Sequence, residues 1–288
     1  MRSAVVITGA SRGFGRCLAL DFTREITAGD VDMFLLARHE GDLGETVRLV
    51  TEAWASKANA AESKLQTFVK TVDLGDQVDY VTKFDAILEQ LQATAYDRVY
   101  LVHNAGSIGD LCFTQELPSP AELAQYWEFN VNSVVWFNKR FLDVYGATRE
   151  ELLSDAPLSA SYQAFIVNIS SGCAIKPFKT YGMYCTGKAA REMHHRVIAT
   201  EQQPKQGTPK IRVVSYSPGP MDTDMQTLVR ESSGVHPEMA AQFRKMKDDG
   251  TLIAPEVSSR LGVQHILMNE FESGAYVYYY DIAPGATK

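Results

Sequence analysis

Cysteine is scarce. Only Cys17, Cys112, Cys173 and Cys185 occur in a chain of 288 residues. None sits in a CxxC pair, and the spacing suits neither a zinc site nor a dense disulfide framework. Reduced thiols in a cytoplasmic protein are the expectation, and no metal is expected. No run of about 18 apolar residues exists, so no transmembrane helix is expected. The apolar stretch Ala4-Val5-Val6-Ile7 is too short for a signal peptide. Excess positive charge is also missing. Lysine plus arginine number 28 against 35 aspartate plus glutamate, a formal charge of −7. That excludes a global basic field for nucleic acid while leaving room for a local basic pocket around a small phosphate. Repeats, low-complexity tracts and linkers are absent as well. The expectation is a single domain over 1–288, long enough to bury a core without disulfide staples.

What is present is an alternation of strands and helices. Apolar, β-branched runs at 4–8, 32–38, 66–72, 98–102, 164–170, 211–217 and 275–280 read as strands. Helical segments are expected at about 13–26, 43–60, 77–93, 120–145 and 184–202. A polar excursion fills 148–161, a Gly/Pro/Lys loop 203–210, and a substrate lid 224–254. This rhythm implies βαβ units, right-handed crossovers and a doubly wound, mainly parallel α/β sheet of Rossmann type.

A phosphate cradle follows the first strand. Thr8-Gly9-Ala10-Ser11-Arg12-Gly13-Phe14-Gly15 places glycines at 9, 13 and 15 between a strand and a helix. Glycine permits the tight turn and the close approach of backbone to a pyrophosphate, and the helix N-terminus faces the same charge. An acidic residue after the second strand would hold the ribose of NAD. Arg38-His39 stands there instead, and Arg12 lies in the loop, so a 2′-phosphate and hence NADP is expected. Asp73-Leu74, after the third strand, would contact the adenine.

Tyr184 and Lys188 are four residues apart on a predicted helix and share one face. A neighbouring ammonium favours the phenolate and makes the pair a tuned acid/base. Ser171 ends the fifth strand, 13 residues before Tyr184. Its hydroxyl would reach the same pocket and hydrogen-bond a carbonyl as charge develops.

Taken together, TGASRGFG at 8–15, HNAG at 103–106, Asn130, Ser171, YCTGK at 184–188 and SPGPMDT at 217–223 resemble the short-chain dehydrogenase/reductase family, in family order and over almost the whole chain. The resemblance implies Tyr184 as general acid. Lys188 would lower the Tyr184 pKa and bind the nicotinamide ribose, and Ser171 would polarise the carbonyl. Asn130 would hold a relay water. Asn104, Ala105 and Gly106 would line the cofactor cleft beside Ser11 and Phe14. Pro218, Gly219, Met221, Asp222 and Thr223 would pack against the nicotinamide.

Within that family, NAGSIGD, NISSGCAIKPFKTYGMYCTGKAAREM, SPGPMDTDMQ and FESGAYVYYYD resemble the pterin-reducing members. That closer resemblance implies a cytoplasmic, NADPH-dependent homodimer in tetrahydrobiopterin synthesis. It would reduce side-chain ketones of 6-pyruvoyl-tetrahydropterin and also of sepiapterin. Substrate contacts would come from Ser171, Gly172, Tyr184 and Gly219, with Asp281 anchoring the pterin ring. A broad-specificity NADPH carbonyl reductase is the alternative enzyme, and a catalytically silent NADP-binding regulator the alternative class. His194-His195 is not read as a metal site, because adjacent residues do not share a helix face. The tyrosines at 276 and 278–280 read as last-strand packing and dimer surface, and the tail 282–288 as an extension past the family's usual end.

Overall fold

Both faces of a parallel sheet are covered, so its strands are continuous apolar runs. In the computed structural model, which describes residues 1–58 and 61–285, the runs become β1 (Arg2–Thr8), β2 (Asp30–Ala37), β3 (Leu65–Thr71), β4 (Arg98–His103), β5 (Gln163–Ile169), β6 (Ile211–Ser217) and β7 (Ala275–Tyr278). They form one seven-stranded sheet in the order β3-β2-β1-β4-β5-β6-β7. Every pairing is parallel. The helices are α1 (Gly13–Glu25), α2 (Glu40–Ala55), α3 (Gln77–Gln92), α4 (Pro120–Trp127), α5 (Ser133–Tyr145), α6 (Arg149–Leu153), α7 (Gly182–Glu201), α8 (Asp224–Glu231), α9 (Pro237–Asp248), α10 (Pro255–Met268) and the single turn α11 (Tyr279–Ile282).

Strand alternation sorts the core into two layers. Val5 and Ile7 of β1 point to one face, where Phe14, Leu18 and Phe22 of α1, Val50 and Trp54 of α2, and Val263 and Ile266 of α10 cover them. Ala4 and Val6 point to the other, under Phe84 and Ile87 of α3, Phe137 and Phe141 of α5, and Ile198 of α7. The strand order reverses between β1 and β4, and a crevice for ligand opens at such a switch point.

Several local expectations change. The helix expected over 120–145 is interrupted by a π turn at Glu128–Asn132. The turn carries Asn130 inward, where its Nδ2 donates to the Tyr126 carbonyl at 3.1 Å and its Oδ1 accepts the Ser107 N–H at 2.8 Å. The excursion contains α6, capped by Thr148. The last strand ends at Tyr278, because the Asp281 carboxylate accepts the Tyr278 N–H at 3.2 Å and starts α11. Tyr279 and Tyr280 are therefore helical. The second helix ends at Ala55; its expected end at Ala60, and residues 286–288 of the tail, lie outside the described residues. No helix was expected at α10. Its apolar period is masked by Ser258 and Ser259, both fully buried, and the Ser258 carbonyl accepts from the Tyr216 hydroxyl at 2.9 Å.

Candidate active site

The cleft opens at the C-terminal ends of β1, β4, β5 and β6 and has a volume of about 550 Å3. Its floor is a close approach of backbones. Gly9 has φ +68°, and a Cβ on Gly15 would stand 2.1 Å from the Gly9 carbonyl oxygen. Any larger residue at 15 displaces the loop. Asn104 locks it from the β4 side, donating through Nδ2 to the Thr8 and Gly9 carbonyls at 3.0 and 3.2 Å. The Thr8 hydroxyl in turn accepts the N–H groups of Asn104 and Ala105, each at 3.1 Å. α1 begins here with no side-chain cap and no acidic residue in its first turn. Its open N–H groups and dipole therefore face the cleft, which suits a phosphate.

Most of the cofactor candidates converge. Gly9, Ser11, Arg12, Gly13, Phe14 and Gly15 line the cleft, as do Arg38, His39 and Leu74. Asn104, Ala105 and Gly106 form its β4 wall, and Pro218, Met221 and Thr223 its β6 wall. Arg38 lies 6.0 Å over the Phe129 ring, which fixes its direction. Arg12 pairs with Asp224 at 2.8 Å, both largely exposed.

Other candidates lie outside the lining. The Asp73 carboxylate accepts the Gly75 N–H at 2.9 Å, while its neighbours Val72 and Leu74 line the cleft. Asp222 bonds Lys247 at 2.6 Å. Gly219, at φ +78°, packs against Ile253 and Tyr279. Asp281 is held at the start of α11. Ser171 and Gly172 follow Ser170, which lines the cleft, and Ser171 Oγ accepts the Cys173 N–H at 3.2 Å.

Tyr184 and Lys188 sit one turn apart on α7 and both line the cleft. Lys188 Nζ lies 5.7 Å from the Tyr184 ring centroid and donates to the Ile169 carbonyl at 2.6 Å. Burial pushes the Tyr184 phenol up, Cys173 adds to the rise, and a hydrogen bond with Ser171 and the charge of Arg191 oppose it. Burial, then Arg191, pushes Lys188 well down. The spacing led us to expect a tyrosine lowered by Lys188. Instead desolvation dominates, because both groups are taken out of water, and the cation that acts on the phenol is Arg191. The phenol thus keeps its proton at neutral pH, the state a general acid needs.

Thr8, Phe129 and Arg191 were not anticipated. Thr8 had a signal, its place at the end of β1 ahead of Gly9. Arg191 had none: an arginine on a predicted helix reads as a solvated charge. Beside Tyr184, the thiols of Cys173 and Cys185 act on each other, which raises Cys173 and lowers Cys185; all four cysteines are free. Among the described residues, no cluster of three or more His, Cys, Asp or Glu could hold a metal, and no helix is long and apolar enough to cross a membrane.

Similarity to known proteins follows this geometry. The sepiapterin reductase of Meriones unguiculatus is 35% identical over 277 residues, covering 96% of this chain and 95% of that protein. That of Mus musculus is 34% identical over 277 residues, covering 96% of each. A solved short chain dehydrogenase/reductase from Saccharomyces cerevisiae shares the fold with a TM-score of 0.75 at 20% identity, covering 99% of this chain and 100% of that one. The short chain dehydrogenase profile matches residues 3–234. With that match spanning the glycine loop, Ser171, Tyr184 and Lys188, the chain belongs to the short-chain dehydrogenase family.

Proposed function

We propose that the chain is an NADPH-dependent reductase of ketones on a pterin side chain. The observation that carries the reading is Tyr184, one turn from Lys188 and lining, with it, a cleft that begins at the bare N-terminus of α1. The near full-length similarity to sepiapterin reductases selects the pterin. The uncapped α1 N-terminus and the Gly9/Gly15 approach suit the pyrophosphate, and Arg38 with Arg12 suits the 2′-phosphate. When bound, NADPH supplies the hydride to the carbonyl carbon. Tyr184 gives its proton to the carbonyl oxygen, and Ser171 donates a hydrogen bond to the same oxygen as it becomes negative. Lys188 would hold the ribose of the bound cofactor and return a proton toward Tyr184. Asn130 Oδ1 and Lys188 Nζ stand 3.7 and 3.8 Å from where a Cβ on Gly106 would lie, and a water between them would complete the relay. Asp73 would meet the adenine, Gly172 and Gly219 the substrate, and Asp222 the nicotinamide side.

A broader carbonyl reductase is the second reading. It is favoured by one observation, the place of Asp281 outside the cleft lining. The pterin reading needs Asp281 to reach the ring across the cleft mouth. Residues 1–288 would act as one domain, 224–254 as the lid, and the enzyme as a cytoplasmic homodimer. Exposed Val135 on α5, with Met193 and Val197 on α7, supports self-association. The test is NADPH oxidation with sepiapterin beside simple diketones. A much higher kcat/KM for sepiapterin is expected; equal values for all carbonyls would favour the broad reductase, and no oxidation with any of them would remove the enzyme reading.

A further inference from the structure

Arg191 is 1% exposed, and among the described residues it forms no ion pair with a carboxylate. A buried cation without a counter-ion is costly, and an apolar residue of similar volume would seat α7 on the sheet with less penalty. Its donors are spent on three oxygens: Asn168 Oδ1 on β5 from Nε at 3.1 Å, the Ala105 carbonyl from Nη1 at 2.9 Å, and the His103 carbonyl from Nη2 at 2.7 Å. Those two carbonyls flank Asn104, whose own amide holds the glycine loop. Arg191 therefore grips, from beneath, the turn that anchors the phosphate cradle from above. Nη1 also converges with Lys188 Nζ on Gly106, at 3.9 and 3.8 Å from a Cβ placed there. Two buried basic side chains thus converge beside Gly106.

We propose that Arg191 is a positioning residue of the reaction: it clamps the 103–106 turn into the cofactor cleft and supplies the fixed positive charge against which Lys188 and Tyr184 exchange their proton. The inference rests on reading Tyr184 and Lys188 as the proton-handling pair. The groups facing Arg191 leave it that part. From α7 they are Tyr184, Lys188 and His195; from α4, Tyr126; from β4, His103. Glu192 and Cys173 act on Lys188, and Ser171, Cys173 and Cys185 on Tyr184. Burial brings His103 to about 3 and His195 well below the usual histidine range, so both are neutral. Arg191 itself falls only to about 10 and stays charged at neutral pH.

The sign of its effect is the same on both partners. A nearby cation disfavours the Lys188 ammonium and favours the Tyr184 phenolate, so removing it raises both pKa values. The alkaline limb of kcat then moves upward. The clamp predicts a second, separate loss, in cofactor affinity.

Arg191→Met and Arg191→Lys test this, with NADPH affinity read by fluorescence quenching and the pH profile of kcat read with sepiapterin. Arg191→Met is expected to bind NADPH at least about tenfold more weakly and to shift the alkaline limb up by about one unit or more. Arg191→Lys keeps an amine donor but cannot reach all three oxygens, so it should lose NADPH affinity. An Arg191→Met enzyme with a lower Tm but wild-type affinity and limb overturns the proposal. If Arg191→Met does not fold, unchanged NADPH affinity in Arg191→Lys overturns it. The affinity arm needs no substrate. A wild-type protein that binds NADPH and reduces no carbonyl would therefore defeat the proposed function while the clamp is still read.

Discussion

The 8–15 loop and the 218–254 segment meet at the same cleft, and they differ in how far the side chains that tie them are exposed to water. The loop is fixed by contacts out of the water: Gly15 abuts the Gly9 carbonyl, the Asn104 amide bonds the Thr8 and Gly9 carbonyls, and the buried Thr46 hydroxyl donates to the Ala10 carbonyl at 2.9 Å. The segment over the other side has a backbone tie at its base, Asp222 N–H to the Ile253 carbonyl at 3.0 Å and Ile253 N–H to the Pro220 carbonyl at 2.9 Å, and exposed side-chain pairs beyond it. Asp222 meets Lys247 at 2.6 Å with side chains 40% and 48% exposed, and Arg12 meets Asp224 at 71% and 80%. Exposed ion pairs of this kind contribute little and are screened by salt. The difference matches the two tasks. A phosphate and a nicotinamide need fixed donors, whereas the wall over the substrate must let it in and out.

Mutations can break this comparison at graded cost. The largest effect is expected at the chemistry between the two regions. Tyr184→Phe should cut turnover by ~10²–10⁴-fold while NADPH still binds, read from steady-state rates beside a binding titration. Near-normal turnover would remove Tyr184 from its role. Arg38→Ala should weaken NADPH by about 1.5–3 kcal/mol and leave NADH almost unchanged, since only NADPH carries the 2′-phosphate. Equal losses for the two cofactors would make Arg38 structural. Gly15→Ala forces a methyl against the Gly9 carbonyl. It should destabilise the protein by about 1–3 kcal/mol and raise the KM for NADPH, measured by thermal melts and kinetics. A wild-type melt and KM would show that the loop yields freely, against the rigidity claimed for it.

Smaller effects sharpen the contrast. Asp281→Asn should raise the KM for sepiapterin by about 1 kcal/mol, roughly fivefold, and spare a small diketone that has no ring to anchor. A loss shared by both substrates would assign Asp281 to the start of α11 instead. Lys247→Ala should change stability by less than about 1 kcal/mol, and the change should disappear as salt is raised. A larger, salt-insensitive loss would mean that this segment is as rigid as the glycine loop.

Legibility along the chain follows the same division. β1, the glycine loop and α1 could be read directly, because a buried parallel strand is a continuous apolar run and the turn after it needs glycine at particular positions. Ser171, Tyr184 and Lys188 were legible as types and spacings. α10 was not, because Ser258 and Ser259 are buried and break the apolar period. The end of β7 was not, because a carboxylate three residues on turns the chain at Tyr278. Asp73 and Asp281 were placed by position after a strand, and in the structure their carboxylates bond nearby backbone N–H groups. Position along a strand does not say what else competes for a side chain.

By itself the sequence determined the alternation of strand and helix, the glycine turn between β1 and α1 and the candidate proton-handling pair. These depend on neighbours a few residues apart. Only the tertiary structure decided the electrostatics. Tyr184 and Lys188 are four residues apart on any helix, but the direction in which their protons are held depends on how much water the fold removes around them. It depends also on Arg191, whose charge is turned inward by carbonyls from β4 and an amide from β5. Solvation is a property of the packed interior, and no local pattern in the chain encodes it.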